Sequence, residues 1–422
     1  MNEAYVTLAI FVAAYVLFVV LPTRRSLVAC GGALLLLFSG VMSPLEAFLS
    51  INWNVMGIFV GMLVMADVFI ESRCPAYLAE CIVNRAPSTA WALLFICALT
   101  GAISMFVENV ATVLIIAPIA IEMTKRLQIS PVATIIGIAI SSNLQGTATL
   151  IGDPPSMLLG GYAKMTFMDF FFYQGKPSIF FAVELGALAS FVVLYMVFRR
   201  HGKKMTVMAV EKVESWTPAI ALVLLIAALA LSSFFDKEFS YMAGGLCMLF
   251  AAAMVIWAEI TKRGAFLAGI KRLDWDTTFF LLGIFVIVHS LSGAGWIDRI
   301  STELSDLIGG NIFLGYTILV FLSVAISAFV DNVPFLAAML PVAISLSERL
   351  HINPTLFLFG LLIGASLGGN VTPIGASANI VGMGLLRKEG CPVTFRQWAM
   401  ISIPFTIAAV LPAYLLVWFI WS

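Results

Sequence analysis

Residues 104–161 align with residues 327–384 without a gap, at a constant offset of 223 and with 20 identities in the 58 pairs. Glu108 falls on Asp331, Asn109 on Asn332, Pro118 on Pro341, Arg126 on Arg349, Thr149 on Thr372 and Gly152 on Gly375. A repeat at half the chain length requires the two halves to fold alike, so a site built by one copy has a counterpart in the other. Within a very apolar sequence, this is the pattern of a secondary transporter whose site lies between two halves.

Hydrophobic residues make up 61% of the 422 and charged residues 11%. A soluble domain carries about 25% charged residues, so the chain is an integral protein of the lipid bilayer. Zero net charge and the lack of a large basic cluster exclude nucleic acid as a partner. The six cysteines are scattered, without a CxxC pair or a neighbouring histidine, so neither a disulfide framework nor a metal site is indicated. No GxxxxGK[ST] motif occurs, so nucleotide hydrolysis is not expected of this chain. It is expected to be no enzyme and to need no cofactor. The first apolar run lacks a basic n-region and a cleavage site and is expected to be a retained span.

A bilayer crossing takes about 20 apolar residues. Spans are expected near 4–21, 26–43, 54–71, 131–161, 178–198, 217–235, 241–260, 276–293, 354–384 and 398–420. The runs 131–161 and 354–384 are too long for one simple helix and carry polar and glycine residues mid-span, from Asn143 to Asp153 and from Gly368 to Asn379. Helix broken at membrane depth has to satisfy its freed backbone groups inside the protein, and it normally lines a cavity or ion site. Ahead of each broken span, stretches 88–123 and 311–346 are split by Glu108-Asn109 or Asp331-Asn332. Each second arm, of about 15 residues or roughly 22 Å as helix, suggests a re-entrant hairpin with the acid at its tip.

With the N-terminus outside, inner loops hold 18 of the 23 lysines and arginines, leaving Lys164, Lys176, Lys237, Arg299 and Arg349 outside. The positive-inside rule thus predicts that both termini face out. Five spans separate Trp53 from its counterpart Trp275, so the repeats have opposite orientation. The expected fold is an all-α polytopic membrane protein of two inverted-topology repeats, each of five spans with one re-entrant hairpin and one broken helix. Buried polar groups concentrate in 88–198 and 311–422, the expected transport parts, and are sparse in 1–87 and 217–310, the expected scaffold parts. Residues 199–216 form a charged cytoplasmic linker.

An ionisable side chain at the bilayer centre costs several kcal/mol, which makes each one a functional candidate. Glu108, Asp153 and Asp331 are the candidates for ion or proton coupling. For the two hairpin tips, a helix-capping role is the structural alternative. Asn109, Asn143, Thr147, Thr149, Asn332, Asn370, Thr372, Ser377 and Asn379 supply amide and hydroxyl groups for a small polar solute, helped by half-helix N-termini. Gly146, Gly152, Gly368, Gly369 and Gly375 allow unwound backbone and close approach. Asp67 and His289, related by an offset of 222, suit either function or a satisfied interhelical contact. Glu184 is a further buried acid without an evident partner.

FVENVATVLIIAPIAIEM followed by SSNLQGTATLIGDPPSMLLGG resembles the first-half signature of the arsenite-efflux and NhaD-type permease family. FVDNVPFLAAMLPVAISL followed by LGGNVTPIGASANIVG resembles its second-half signature. That family, part of the ion-transporter superfamily, also includes the melanosomal P protein. The resemblance implies a scaffold and a mobile transport domain, a homodimer and an elevator-like movement in the inner (plasma) membrane. Sodium/dicarboxylate symporters of the superfamily carry Ser-Asn-Thr at the tips. Here the tips read Glu108-Asn109-Val110 and Asp331-Asn332-Val333, which would repel an anionic substrate. Arsenite and antimonite are neutral trihydroxides at neutral pH, and an oxygen-rich, acid-containing site expected to be free of arginine suits them. Proton-coupled arsenite efflux is the first functional expectation, and sodium/proton antiport is the alternative. An organic or inorganic anion permease and a non-transporting scaffold rank lower. The sequence names no cytosolic ATPase partner.

Overall fold

Prolines, glycines and polar N-caps divide this almost uniformly apolar chain into helices. The computed structural model describes residues 3–21, 24–200, 212–261 and 265–422, the side chains of 265–268 excepted. The first half contains α1 (Glu3–Val20), α2 (Arg25–Phe38), α3 (Pro44–Ser50), α4 (Trp53–Glu71), α5 (Cys74–Asn84), α6 (Thr89–Ser104), α7 (Asn109–Arg126), α8 (Val132–Gly146), α9 (Pro154–Ala163) and α10 (Ile179–Phe198). The second repeats the order with α11 (Thr217–Ser232), α12 (Met242–Thr261), α13 (Ala265–Arg272), α14 (Trp275–Gly293), α15 (Trp296–Ile308), α16 (Ile312–Ser327), α17 (Asn332–Arg349), α18 (Thr355–Gly368), α19 (Ser377–Lys388) and α20 (Phe395–Trp421). A short hairpin of β1 (Phe172–Tyr173) and β2 (Lys176–Pro177) follows α9. The chain is an all-α polytopic membrane protein of two repeats. Among the described residues, α1, α4, α10, α12, α14 and α20 are each long and apolar enough to cross a bilayer.

The local chemistry is repeated along with the order. Asn52 caps α4 by accepting from the Val55 N–H at 3.1 Å, and Asp274 caps α14 by accepting from the Thr277 N–H at 2.9 Å. The Trp53 indole donates to the Phe48 carbonyl and the Trp275 indole to the Ile270 carbonyl. Both long runs break where glycine and polar residues suggested, α8 from α9 and α18 from α19. Both apolar stretches before them split at the acids, α6 from α7 and α16 from α17. The second arms have 18 residues instead of the expected 15 or so, because each helix runs on past the apolar stretch through polar residues, Thr124-Lys125-Arg126 and Ser347-Glu348-Arg349.

The halves pack reciprocally. Helix α4 lies along α12 as α14 lies along α2, α9 meets α17 as α19 meets α7, and α10 packs against its own counterpart α20. Such exchange is what a two-fold axis between the repeats produces, and an odd number of spans per repeat inverts one copy relative to the other. Ion pairs and hydrogen bonds join loops that the charge count assigned to one face. Lys125 meets Glu389, and Arg73 meets Glu214, on one face; on the other, Asn353 donates to Gln174 at 2.8 Å and the Trp296 indole to the Ala4 carbonyl.

Four helices were not expected from hydropathy. Helices α3, α5, α13 and α15 occupy stretches expected to be loops, because they are short or too polar to resemble spans. Helix α15 meets α16 at 119°. Most of the expected linker, residues 201–211, lies outside the described residues, as do Lys203, Lys204, Lys262 and Arg263.

In lipid there is little hydrophobic drive between helices, so close packing through small residues has to hold them together. A Cβ at Gly61 would come within 2.6 Å of the Cys247 backbone, and one at Gly283 within 2.5 Å of the Ala29 backbone. Gly57 and Gly244 face each other in the same α4–α12 seam. Valine at position 61 or 283 is therefore expected to force the helix pair apart at a cost of about 1–3 kcal/mol. A clear drop in the unfolding temperature of the detergent-solubilised protein for Gly61→Val and Gly283→Val, with little change for Gly245→Val, which meets nothing within 4 Å, is the expected result.

Candidate functional site

Four helix N-termini converge on one small, partly open cavity. They belong to α7 and α17, which begin at the hairpin tips, and to α9 and α19, the second segments of the broken spans. An N-terminus leaves backbone N–H groups without helical partners, and a carboxylate satisfies them well. Glu108 accepts from the Ala111 N–H at 2.9 Å, Asp331 from the Val333 N–H at 3.1 Å and Asp153 from the Ser156 N–H at 3.0 Å. All three candidate acids are thus N-caps, as the structural alternative held for the two hairpin tips, and all three also line the cavity. The fourth start, that of α19, has Ala376 where the first repeat has Asp153, and no side chain caps it. Capping does not use up the acids. Asp153 is 1% exposed, and its Oδ2 atom is buried without a hydrogen-bond partner among the described residues.

Of the expected solute-binding residues, Asn109, Asn143, Asn332 and Ser377 line the cavity. The Asn109 side-chain oxygen accepts from the Ser104 hydroxyl at 2.6 Å, which fixes the first tip to α6. The others are occupied by the framework. Thr149 donates to the Met105 carbonyl and Thr372 to the Ala328 carbonyl, so each broken span is tied to the end of its hairpin's first arm. Thr147 donates to the Asn143 carbonyl at 3.1 Å. Asn143 donates to the side-chain oxygens of both Asn370 and Asn379, each at 2.8 Å. Asn379 in turn donates to the carbonyls of Gly369 (2.9 Å) and Thr372 (3.0 Å) within the second break. The Trp398 indole donates to the Asn370 carbonyl at 3.0 Å. This buried network links the two breaks beneath the cavity.

The break glycines serve close approach and not unusual torsion, since none of Gly146, Gly152, Gly369 and Gly375 has a positive φ. A Cβ at Gly152 would lie 2.3 Å from the Gly146 carbonyl oxygen, and one at Gly375 would lie 2.6 Å from that of Gly369. Each span crosses its own backbone at the break, and a side chain there would push the segments apart. Gly368 likewise packs on the Val324 backbone.

One expectation is corrected. The site is not free of arginine: Arg25 lines the cavity, paired with Asp331 and Asp276. Arg25 belonged to a loop doublet counted only for orientation, and folding brings the first turn of α2 to the second hairpin tip. Asp274 and Thr277 also line the cavity and were missed. The Trp53–Trp275 correspondence could have found them, because it sets Asp274 against Asn52 and so marks an N-cap pair. Asp67 forms an ion pair with Arg272, at 3.1 Å, away from the cavity. His289 lines a separate cleft with Tyr162, Asn52 and Pro341. Glu184 accepts from Gln145 at 3.3 Å and its other oxygen has no hydrogen-bond partner among the described residues. Among the described residues no group of acids, histidines and cysteines is arranged to hold a metal ion.

Asn143→Ala removes the donor shared by two buried amide oxygens, and an unsatisfied buried acceptor costs about 1–3 kcal/mol. The expected outcome is lower thermal stability in detergent for Asn143→Ala. In a double-mutant cycle, Asn143→Ala combined with Asn379→Ala should cost clearly less than the sum of the two single changes.

The sequence model of the citrate transporter family matches residues 15–346 and 242–422. An uncharacterized transporter of Mycobacterium tuberculosis is 29% identical, over 98% of this chain and 97% of that protein. The mouse P protein is 24% identical over 94% of this chain and 58% of its own length. Among solved structures, that of the Alcanivorax borkumensis YdaH transporter superposes with a TM-score of 0.64, covering 99% of this chain and 98% of that one at 13% identity. At that identity the likeness is one of fold.

Proposed function

Since the chain belongs to the citrate transporter (CitMHS) family, whose members are membrane transporters and not enzymes, we propose that it is a cation-coupled secondary transporter working from the cavity between its two hairpin tips. Glu108, Asp153 and Asp331 carry the coupling proton or sodium ion, while Asn109, Asn332 and Ser377 with the open start of α19 hold the solute. The observation that carries this reading is the buried Asp153 oxygen that accepts no hydrogen bond among the described residues. Desolvating a carboxylate without a partner is expensive, and a passing cation or proton removes that cost.

The solute that fits is small, uncharged and hydroxylated, as arsenite and antimonite are, exported in exchange for protons. The cavity's carboxylates, those of Glu108, Asp153, Asp274 and Asp331, outnumber its one arginine, and Arg25 is already paired. A bare tricarboxylate such as the citrate of the family's name would meet net negative charge there. A sodium/proton antiporter is the second reading, favoured by carboxylates and amide oxygens close together, which suit a hard cation.

Transport follows an elevator movement of residues 88–198 and 311–422 against 1–87 and 217–310. The protein works as a homodimer in the plasma membrane, with both termini outside. Proteoliposomes loaded in turn with arsenite, antimonite, sodium and citrate, each under an imposed proton gradient, test the reading. The first two should move and dissipate the gradient, and citrate should not. Asp153→Asn and Glu108→Gln should each lower coupled flux by roughly tenfold or more, equivalent to about 1.4 kcal/mol, while melting within a few degrees of the parent. The amides retain capping, so full activity in both variants would reduce the acids to caps.

A further inference from the structure

The two repeats match in framework but not in charge. Gly61 packs on Cys247 and Gly283 on Ala29, which makes Cys247 and Ala29 equivalent positions on α12 and α2. Arg25 then corresponds to Ala243, and Ser26 to Gly244. The hydrogen bonds follow the same correspondence. The Gly244 N–H donates to Asn54 at 2.7 Å, and the Ser26 hydroxyl donates to Asp276. One end of the α2–α14 pair therefore presents Arg25, Asp274, Asp276 and Thr277. The equivalent end of the α12–α4 pair presents Ala243, Asn52, Asn54 and Val55, with no charge at all.

Arg25 is held on three sides by α14. Its Nε donates to Asp276 at 3.1 Å and its Nη2 to the Thr277 hydroxyl at 2.7 Å, and the guanidinium lies 5.6 Å from the centre of the Phe280 ring. Only 15% of the side chain is exposed. The remaining arm, Nη1, reaches across to Asp331 at the second hairpin tip. Glu108, at the first tip, forms no ion pair among the described residues. A planar fork fixed on one side offers its last donors in a set direction.

We propose that Arg25 is a one-sided clamp, a tethered counter-ion that holds the second hairpin tip against α2 and α14 and competes with the coupling cation for Asp331. This rests on the reading of the tip acids as the coupling site. The charged groups facing the guanidinium are Asp274 and Asp276 from α14, Asp331 from α17 and Glu108 from α7. When a cation or proton neutralises Asp331, the fork loses its distal partner but keeps Asp276, so no buried charge is stranded and release is cheap. In the opposite arrangement the first tip would meet Ala243 and the two asparagines, where no clamp exists. Ion occupancy at Asp331 thereby decides when the hairpin can leave.

Hydrogen–deuterium exchange on the full chain in nanodiscs tests the clamp without needing the solute. In Arg25→Gln, and equally in Asp331→Asn, residues 328–334 should exchange about fivefold faster or more, since a local opening free energy falls when a tether is lost. Residues 105–111 should not change. The double variant should exchange no faster than either single one, and Arg25→Lys, a point charge without the fork, should lie between. In proteoliposomes Arg25→Gln should also need a lower concentration of the coupling cation for half-maximal flux. Unchanged exchange at 328–334 in Arg25→Gln and Asp331→Asn, or additive effects in the double variant, would overturn the clamp. If the wild type shows no cation-driven flux of any solute, the transport reading fails on its own and the exchange data still decide whether Arg25 tethers the tip. Should Arg25→Gln not fold, Asp331→Asn and Arg25→Lys probe the same contact, the first of them from the other partner.

Discussion

Everything near the cavity follows from one constraint: peptide groups freed from a helix at membrane depth have to be satisfied by the protein, because lipid offers nothing. The chain breaks helix at two hairpin tips and in two spans, and each break is repaired by a few side chains. Thr149 and Thr372 tie each broken span to the carbonyl that ends its hairpin's first arm. Asn379 binds two carbonyls inside the second break. The acids close three of the four helix starts. These repairs bring the polar groups to one place, so the cavity is a consequence of how broken helices are stabilised.

The same repairs explain why capping and coupling need not compete. A carboxylate has two oxygens, and capping occupies one of them. In Asp153 the second stays buried and unpartnered among the described residues, and in Asp331 it meets Arg25. A serine cap would have spared the desolvation cost, so acids at these positions are expensive choices for a purely structural task. The open start of α19, where Ala376 replaces the acid, leaves donors at the fourth corner. The cavity thus combines carboxylates with one uncapped helix dipole, an arrangement suited to a cation together with a neutral oxygen-rich solute.

Two-fold repetition gives the molecule two equivalent ends for a moving part to visit, and the differences between repeats make those ends unequal. Gly61 and Gly283 bring α4 onto α12 and α14 onto α2 in the same way. The charges beside them are not alike, and Arg25 with its aspartates stands at only one end. Shape is conserved between the copies where packing demands it, and chemistry diverges where a direction of work has to be specified.

The polytopic helical class, the repeat, the places where helices break and the acids at those breaks were all legible along the chain, because each is a local or periodic property. Glu108, Asp153 and Asp331 could be named from their cost in an apolar setting alone. Short helices such as α5 and α15 stayed hidden, since they are neither long nor apolar enough to resemble spans. Which of the amides and hydroxyls face the cavity, and which are spent on the framework, was settled only in three dimensions. Asn370, Asn379, Thr149 and Thr372 look like Asn109 and Asn332 in the sequence and differ only in what folding sets beside them. Arg25 is the clearest case. It lies 306 residues from Asp331, outside the aligned segments 104–161 and 327–384, and no pattern along the chain reports a contact that exists because α2 packs on α14.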